Sequence, residues 1–187
     1  NAFDVINSSC AKPGGPEVVF AVPRHPDFAS IFVSTVNPGT EVYFNTVLSV
    51  FDETCTLTQE VACNDDVGKT IHSAVEAAMT PNGQYFVMLE GRYQSHTGDF
   101  EMTYDIALRE GAECSDEPPA VRCPSRHACK AAASGSSDRF CLISDCADGQ
   151  DNDGDGLSDE DDPGCLSAED DHENDTAISP QCSDGKD

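Results

Sequence analysis

From Asp145 to its last residue the chain has almost nothing with which to build an interior, and that limits how this stretch can fold. Leu157, Leu166 and Ile178 stand isolated among acids and glycines, and Lys186 is the only Lys or Arg. Ordering each residue costs roughly 1–2 kcal/mol of backbone entropy, which so little apolar surface cannot offset. Segments below about 40 residues in this position are held by bound metals and disulfides instead.

The acids are spaced for the first of these. Asp151, Asp153, Asp155, Asp159 and Asp162 fall at positions 1, 3, 5, 9 and 12 of a twelve-residue loop, Gly156 at position 6 and the Leu157 carbonyl at position 7. Five anions converging on one point repel, by roughly 1 kcal/mol per pair at about 4 Å even in bulk water. A hard divalent cation with oxygen ligands removes that repulsion, so the expected cofactor is Ca2+. The competing reading is a solvated acidic linker, and the glycine placement and odd-position register speak against it. Pro163-Gly164-Cys165 follows at once, so no helix leaves the loop.

Part of the segment recurs: Cys146-Ala-Asp148-Gly149-Gln-Asp151 returns as Cys182-Ser-Asp184-Gly185-Lys-Asp187. Self-similarity of this kind marks an array of small units. The second copy stops where its own loop would begin, which leads us to expect a longer parent protein.

Ten cysteines without a C-x-x-C pair or a zinc-type His cluster read as a disulfide framework made outside the cytosol. Cys55 and Cys63 flank a short polar loop and are expected to close it; Cys10 and Cys114 bracket the main domain and are expected to tie its ends. The other six, Cys123, Cys129, Cys141, Cys146, Cys165 and Cys182, allow fifteen pairings. Cys146 to Cys165, closing the acidic loop, is preferred over Cys165 to Cys182.

Residues 15–110 read as a series of short strands. Phe100-Glu-Met102-Thr-Tyr104-Asp-Ile106-Ala-Leu108 alternates large apolar with polar or small residues, and Gly83 to Glu90 is a more evenly buried strand after a Pro81-Asn82-Gly83 turn. Glu17–Val22, Ile31–Val36, Val42–Phe51, Gln59–Cys63 and Ile71–Ala78 complete the series. The expected fold is all-β, an antiparallel β-sandwich of jelly-roll type, with a small disulfide-rich, loop-dominated tail. The expected divisions are a sandwich over 1–113, a linker and cysteine-rich knot over 114–145, and the acidic repeat over 146–187.

Charge excludes some partners. With 35 acids against 10 bases the net charge is -25, which repels phosphate backbones and anionic lipid surfaces. Nucleic-acid binding and membrane insertion are therefore not expected, and no apolar run approaches the roughly 20 residues needed to cross a bilayer. The first residues lack signal-peptide character, which suggests a mature chain. Asn7-Ser8-Ser9 and Asn174-Asp175-Thr176 satisfy the glycosylation sequon.

Phe44-Asn-Thr-Val-Leu48, Cys55, Ala62-Cys-Asn-Asp-Asp66, Gly83 to Gly91 and Gly98 to Tyr104, in that order, resemble the bacterial pre-peptidase C-terminal domain. The resemblance covers about half the chain. It implies a usually non-catalytic β-sandwich appended to secreted enzymes and surface proteins, in some cases binding calcium or insoluble polymers. The loop Asp151 to Asp162 is similar to a thrombospondin type 3 repeat, which implies calcium-filled, disulfide-linked, helix-poor stalks between extracellular domains.

A second calcium site is offered by Asn64, Asp65 and Asp66 with Asp52 across the hairpin; the alternative is a polar turn, for which Asn and Asp are usual. For catalysis no set assembles. His25, His72, His96, His127 and His172 are scattered, there is no G-x-S-x-G or H-E-x-x-H motif, and each cysteine has an oxidised role. The expectation is a non-enzymatic, secreted or cell-surface module for adhesion, spacing or anchoring, with calcium and an extracellular polymer or cell-surface protein as partners. The alternative is a substrate-binding accessory domain of a secreted hydrolase that recognises fibrous protein or polysaccharide.

Overall fold

The computed structural model describes residues 8–53, 59–115, 121–133 and 135–174. The chain divides into two compact units, residues 1–106 and 107–187. The first carries strands β1 (Glu17–Val22), β2 (Phe28–Ser34), β3 (Thr46–Asp52), β4 (Glu60–Asn64), β5 (Ala74–Ala78) and β6 (Tyr85–Gly91), and β7 (Thr103–Leu108) runs out of it. They form a four-stranded sheet in the order β1-β6-β3-β4 and a three-stranded sheet in the order β5-β2-β7.

Alternation explains the layering. In the smaller sheet Ile31 pairs with Ala77 and Val33 with Val75, all buried, while Phe32 and Glu76 share the exposed face. In the larger sheet Leu48 pairs with Leu89 and Val50 with Val87 on the face of Thr46. The Thr46 hydroxyl lies 2.7 Å from that of Thr35 and 3.1 Å from that of Ser73, beside β2 and β5, so this face looks into the sandwich. The alanines of β5 thus belong to a strand, as the neighbouring turn signals indicate.

The other face of the larger sheet is buried as well. Val47, Ser49, Phe51, Met88 and Glu90 are all 0–1 % accessible. The N-terminal segment lies along this face: the Ser8 N–H donates to Glu90 Oε1 at 3.1 Å, the Lys12 N–H to the Arg92 carbonyl at 3.2 Å, and Cys10 is bonded to Cys63. Cys63 is opposite Ser49 in the ladder and so presents to the same covering segment. This corrects two expected pairings: Cys10 does not join Cys114, and Cys63 is taken by the strap rather than by Cys55, which lies outside the described residues.

The second unit is built on a hairpin, β8 (His127–Ala131) with β9 (Arg139–Ile143), followed by 3-10 turns at Asp145–Ala147 and Asp159–Asp161. Cys129 and Cys141 are direct cross-strand neighbours, yet each bonds outward, Cys129 to Cys114 and Cys141 to Cys123. These bonds fasten both described ends of the expected linker to the hairpin, helped by the Cys114 N–H to the Arg139 carbonyl and the Leu108 N–H to the Arg122 carbonyl. The expected linker and knot are one stapled hairpin. The described residues of 114–145 and of 146–174 belong to one compact unit, which begins at Ala107.

Candidate metal centre

Beyond Ser144 the chain turns once and enters the acidic loop. Asp151 organises it: Oδ1 accepts the Gly154 N–H at 2.6 Å and Oδ2 the Gly156 N–H at 3.0 Å. Asp153 accepts from the Asp155 N–H at 3.1 Å and Asp155 from the Leu157 N–H at 2.8 Å. These local bonds are the ones Asp makes most readily. They wind the backbone inward, with Gly156 at φ 99°, where a side chain would be strained.

The winding brings one carboxylate oxygen from each of Asp151, Asp153 and Asp155 within 4.8 Å of the others. All three are exposed, and none of them joins an ion pair among the described residues. Three convergent hard oxygen donors fit a divalent cation of the calcium or magnesium type, not a thiolate- or imidazole-preferring metal. Of the remaining expected ligands, the Asp159 and Asp162 carboxylates turn elsewhere. Asp159, at φ 52°, turns Oδ1 to the Gly149 N–H at 2.9 Å. Asp162 is 2 % accessible and caps the following turn through the Gly164 N–H at 2.6 Å. Leu157 is half-buried. The Cys146–Cys165 bond encloses the whole loop.

Glu173 was invisible to motif reading, being one acid in the run Glu169 to Glu173. In the structure it is 1 % accessible, and it accepts the N–H groups of Asn152 and Asp159. Two further clusters have simple explanations. Cys114, Cys123 and Cys141 converge because they are half-cystines. Of Asp145, Asp171 and His172, the two acids answer Lys130, whose ammonium touches Asp145 and lies 3.2 Å from Asp171. Burial, the largest influence on Lys130, pulls its pKa down, but the bonds and charges of Asp145 and Asp171 together outweigh it and hold the pKa above the ordinary value. Glu169 is held below the usual carboxylate range, chiefly by the Arg126 N–H, with help from the Ser125 hydroxyl.

The second expected calcium set does not come together. Asp52 pairs with Tyr85, whereas Asn64 pairs with Leu48, four residues back along β3, about 13 Å at 3.3 Å per residue. Asp65 is instead in direct ion contact with Arg92, and Asp66 lies 3.8 Å from the same guanidinium. A built-in cation from β6's end occupies the place offered to a metal. Among the described residues no helix is long and apolar enough to cross a membrane. No family model, no curated protein and no solved structure matches this chain.

Proposed function

We propose that this chain is a non-catalytic module of a secreted or cell-surface protein, in which calcium held by the Asp151–Asp162 loop stiffens an acidic, disulfide-tied segment that spaces or anchors the sandwich. The observation that carries this reading is the convergence of Asp151, Asp153 and Asp155 in a loop whose own N–H groups orient the carboxylates. The second unit's buried apolar set is small, mostly Ala107, Leu108, Ala112, Ala147 and half-cystines, so ion binding has a structural job to do there. An affinity of roughly 0.1–1 mM suits an extracellular module. Calorimetry with calcium on the decalcified chain tests this: we expect one exothermic or endothermic site in that range, abolished by Asp151→Asn with Asp153→Asn. A flat titration overturns the reading.

A second reading, an accessory domain that binds fibrous protein or polysaccharide, is favoured by Tyr43 and Tyr104, 88 % and 64 % accessible on the sandwich unit. Exposed aromatics offer flat apolar surface with a polar tip. Retention on insoluble polymer, weakened by Tyr43→Ala, would support it; complete elution in the wash would leave the spacer role.

A further inference from the structure

Glu173 lies outside the spacing pattern of the loop, yet its carboxylate holds the loop together. Oε2 accepts the Asn152 N–H at 2.5 Å and Oε1 the Asp159 N–H at 2.7 Å. Asn152 and Asp159 are the second and ninth positions of the loop, so one side chain ties its entry to its exit. The approach is close: a Cβ on Gly164 would stand 1.8 Å from the Glu173 carbonyl oxygen. Only glycine at 164 lets the chain around Glu173 pass against the Pro163-Gly164 turn.

A buried carboxylate is unfavourable unless donors or a cation answer its charge. Two charge-assisted N–H bonds answer part of it. The loop it clamps through Asn152 and Asp159 carries three more carboxylates, whose charges oppose holding another carboxylate against it. A divalent cation in the loop would offset two of those three charges, so the same carboxylate would be repelled less.

We propose that Glu173 is a positioning residue for the loop's cation: by fixing Asn152 against Asp159 it keeps the Asp151, Asp153 and Asp155 oxygens converged and raises calcium affinity without touching the ion. This rests on the calcium reading of the loop. It makes cation binding and docking of the segment around Glu173 one linked equilibrium, so that affinity depends on chain well beyond the loop. Partners outside the ligand shell commonly have such leverage, with loss of one costing roughly ten- to a hundredfold in metal affinity.

The test uses the full chain. Calcium affinity is measured by calorimetry, the release rate by stopped-flow mixing with a chelator, and the number of bound waters by terbium luminescence lifetimes in H2O and D2O. Glu173→Gln keeps the shape but can accept only one of the two N–H groups. We expect it to bind calcium roughly ten- to a hundredfold more weakly, through faster release, with an unchanged terbium water count. Equal affinity in the two proteins overturns the proposal while leaving the calcium reading intact if Asp153→Asn still weakens binding. A higher water count in Glu173→Gln overturns it differently, by making Glu173 a direct ligand. A wild-type chain that binds no calcium overturns both. Should the variant fail to fold, the wild-type amides decide: the Asn152 and Asp159 N–H signals should lie downfield and exchange slowly, and fast exchange at both overturns the proposal.

Discussion

Arg92 shows how one residue decides whether a site needs a metal. Its guanidinium neutralises Asp65 and approaches Asp66, and its side chain is 27 % accessible against 19 % for Asp65, so the pair is partly screened. Arg92→Ala leaves two carboxylates without their cation, and we expect the sandwich to lose about 1–3 kcal/mol in urea unfolding, between the values for exposed and buried pairs. The same variant should acquire a stabilisation by millimolar calcium that the wild-type sandwich lacks. In the loop the sign reverses. Asp153→Asn removes one of three mutually repelling charges, so the metal-free melt should stay level or rise while the calcium-loaded melt falls, with affinity down roughly tenfold or more. Scanning calorimetry with and without chelator reads both. The convergence of Asp151, Asp153 and Asp155 was legible because the D-x-D-x-D-G register winds them together; the turning away of Asp159 and Asp162 to the Gly149 and Gly164 N–H groups was not, nor was Glu173, because nothing in a run of acids distinguishes the one that folds back.

Among the elements, the strands of the sandwich were legible wherever burial alternates, and their ends were not. The run expected from Phe100 begins its ladder only at Thr103, because the Glu101 backbone is already bonded to the Asn37 and Thr40 side chains. Hairpin β8–β9 read as a knot, since His127–Ala131 is half-buried almost throughout and offers no period-two contrast. The covering strap was hidden for a different reason: short sequence separation favoured Cys55 as partner of Cys63, whereas the sheet's outer face needed a lid. Opening Cys10–Cys63 by Cys10→Ser frees a closure spanning 53 residues, for which the chain-entropy model gives about 4 kcal/mol; a change below about 1 kcal/mol in denaturant unfolding would show that packing alone fastens the strap. The hairpin's link to the acidic segment titrates. Lys130 has a raised pKa, so its pairing with Asp145 and Asp171 contributes fully below the ordinary value of 10.5 and is lost as pH climbs through the raised one. Lys130→Met should therefore remove an alkaline loss of stability from the pH–melting curve and leave the neutral-to-acid limb unchanged in shape. Glu169, held low, acts at the other end: its contribution is present above the carboxylate range and fades as pH falls through its depressed pKa.

For the molecule as a whole, the two units draw their stability from different sources. The first buries Val33, Val47, Leu48, Val50 and Phe51 completely; the described residues of the second hold three disulfides and few large apolar side chains inside. A cation that binds only the folded loop stabilises by RT ln(1 + [L]/Kd), about 1.4 kcal/mol at 1 mM calcium for a Kd of about 0.1 mM. That is a large share for a unit with a small core and a negligible one for the sandwich. Chelation should therefore lower one calorimetric transition and leave another in place. Proteolysis can locate it, with the enzyme chosen by composition: no Lys or Arg occurs between Arg139 and Lys186, so trypsin is blind there, whereas Glu160, Glu169 and Glu173 are sites for a glutamate-specific protease. We expect cleavage at Glu160 and Glu169 to accelerate on chelation and calcium to restore resistance, with fragments joined by Cys146–Cys165 separating only after reduction. Glu173, enclosed at both oxygens, should be cut last if the clamp outlives the metal and together with the others if it does not. An unchanged cleavage pattern with and without chelator would mean that the disulfides alone hold the segment, and the loop would then be an ordered acidic turn with no structural use for calcium.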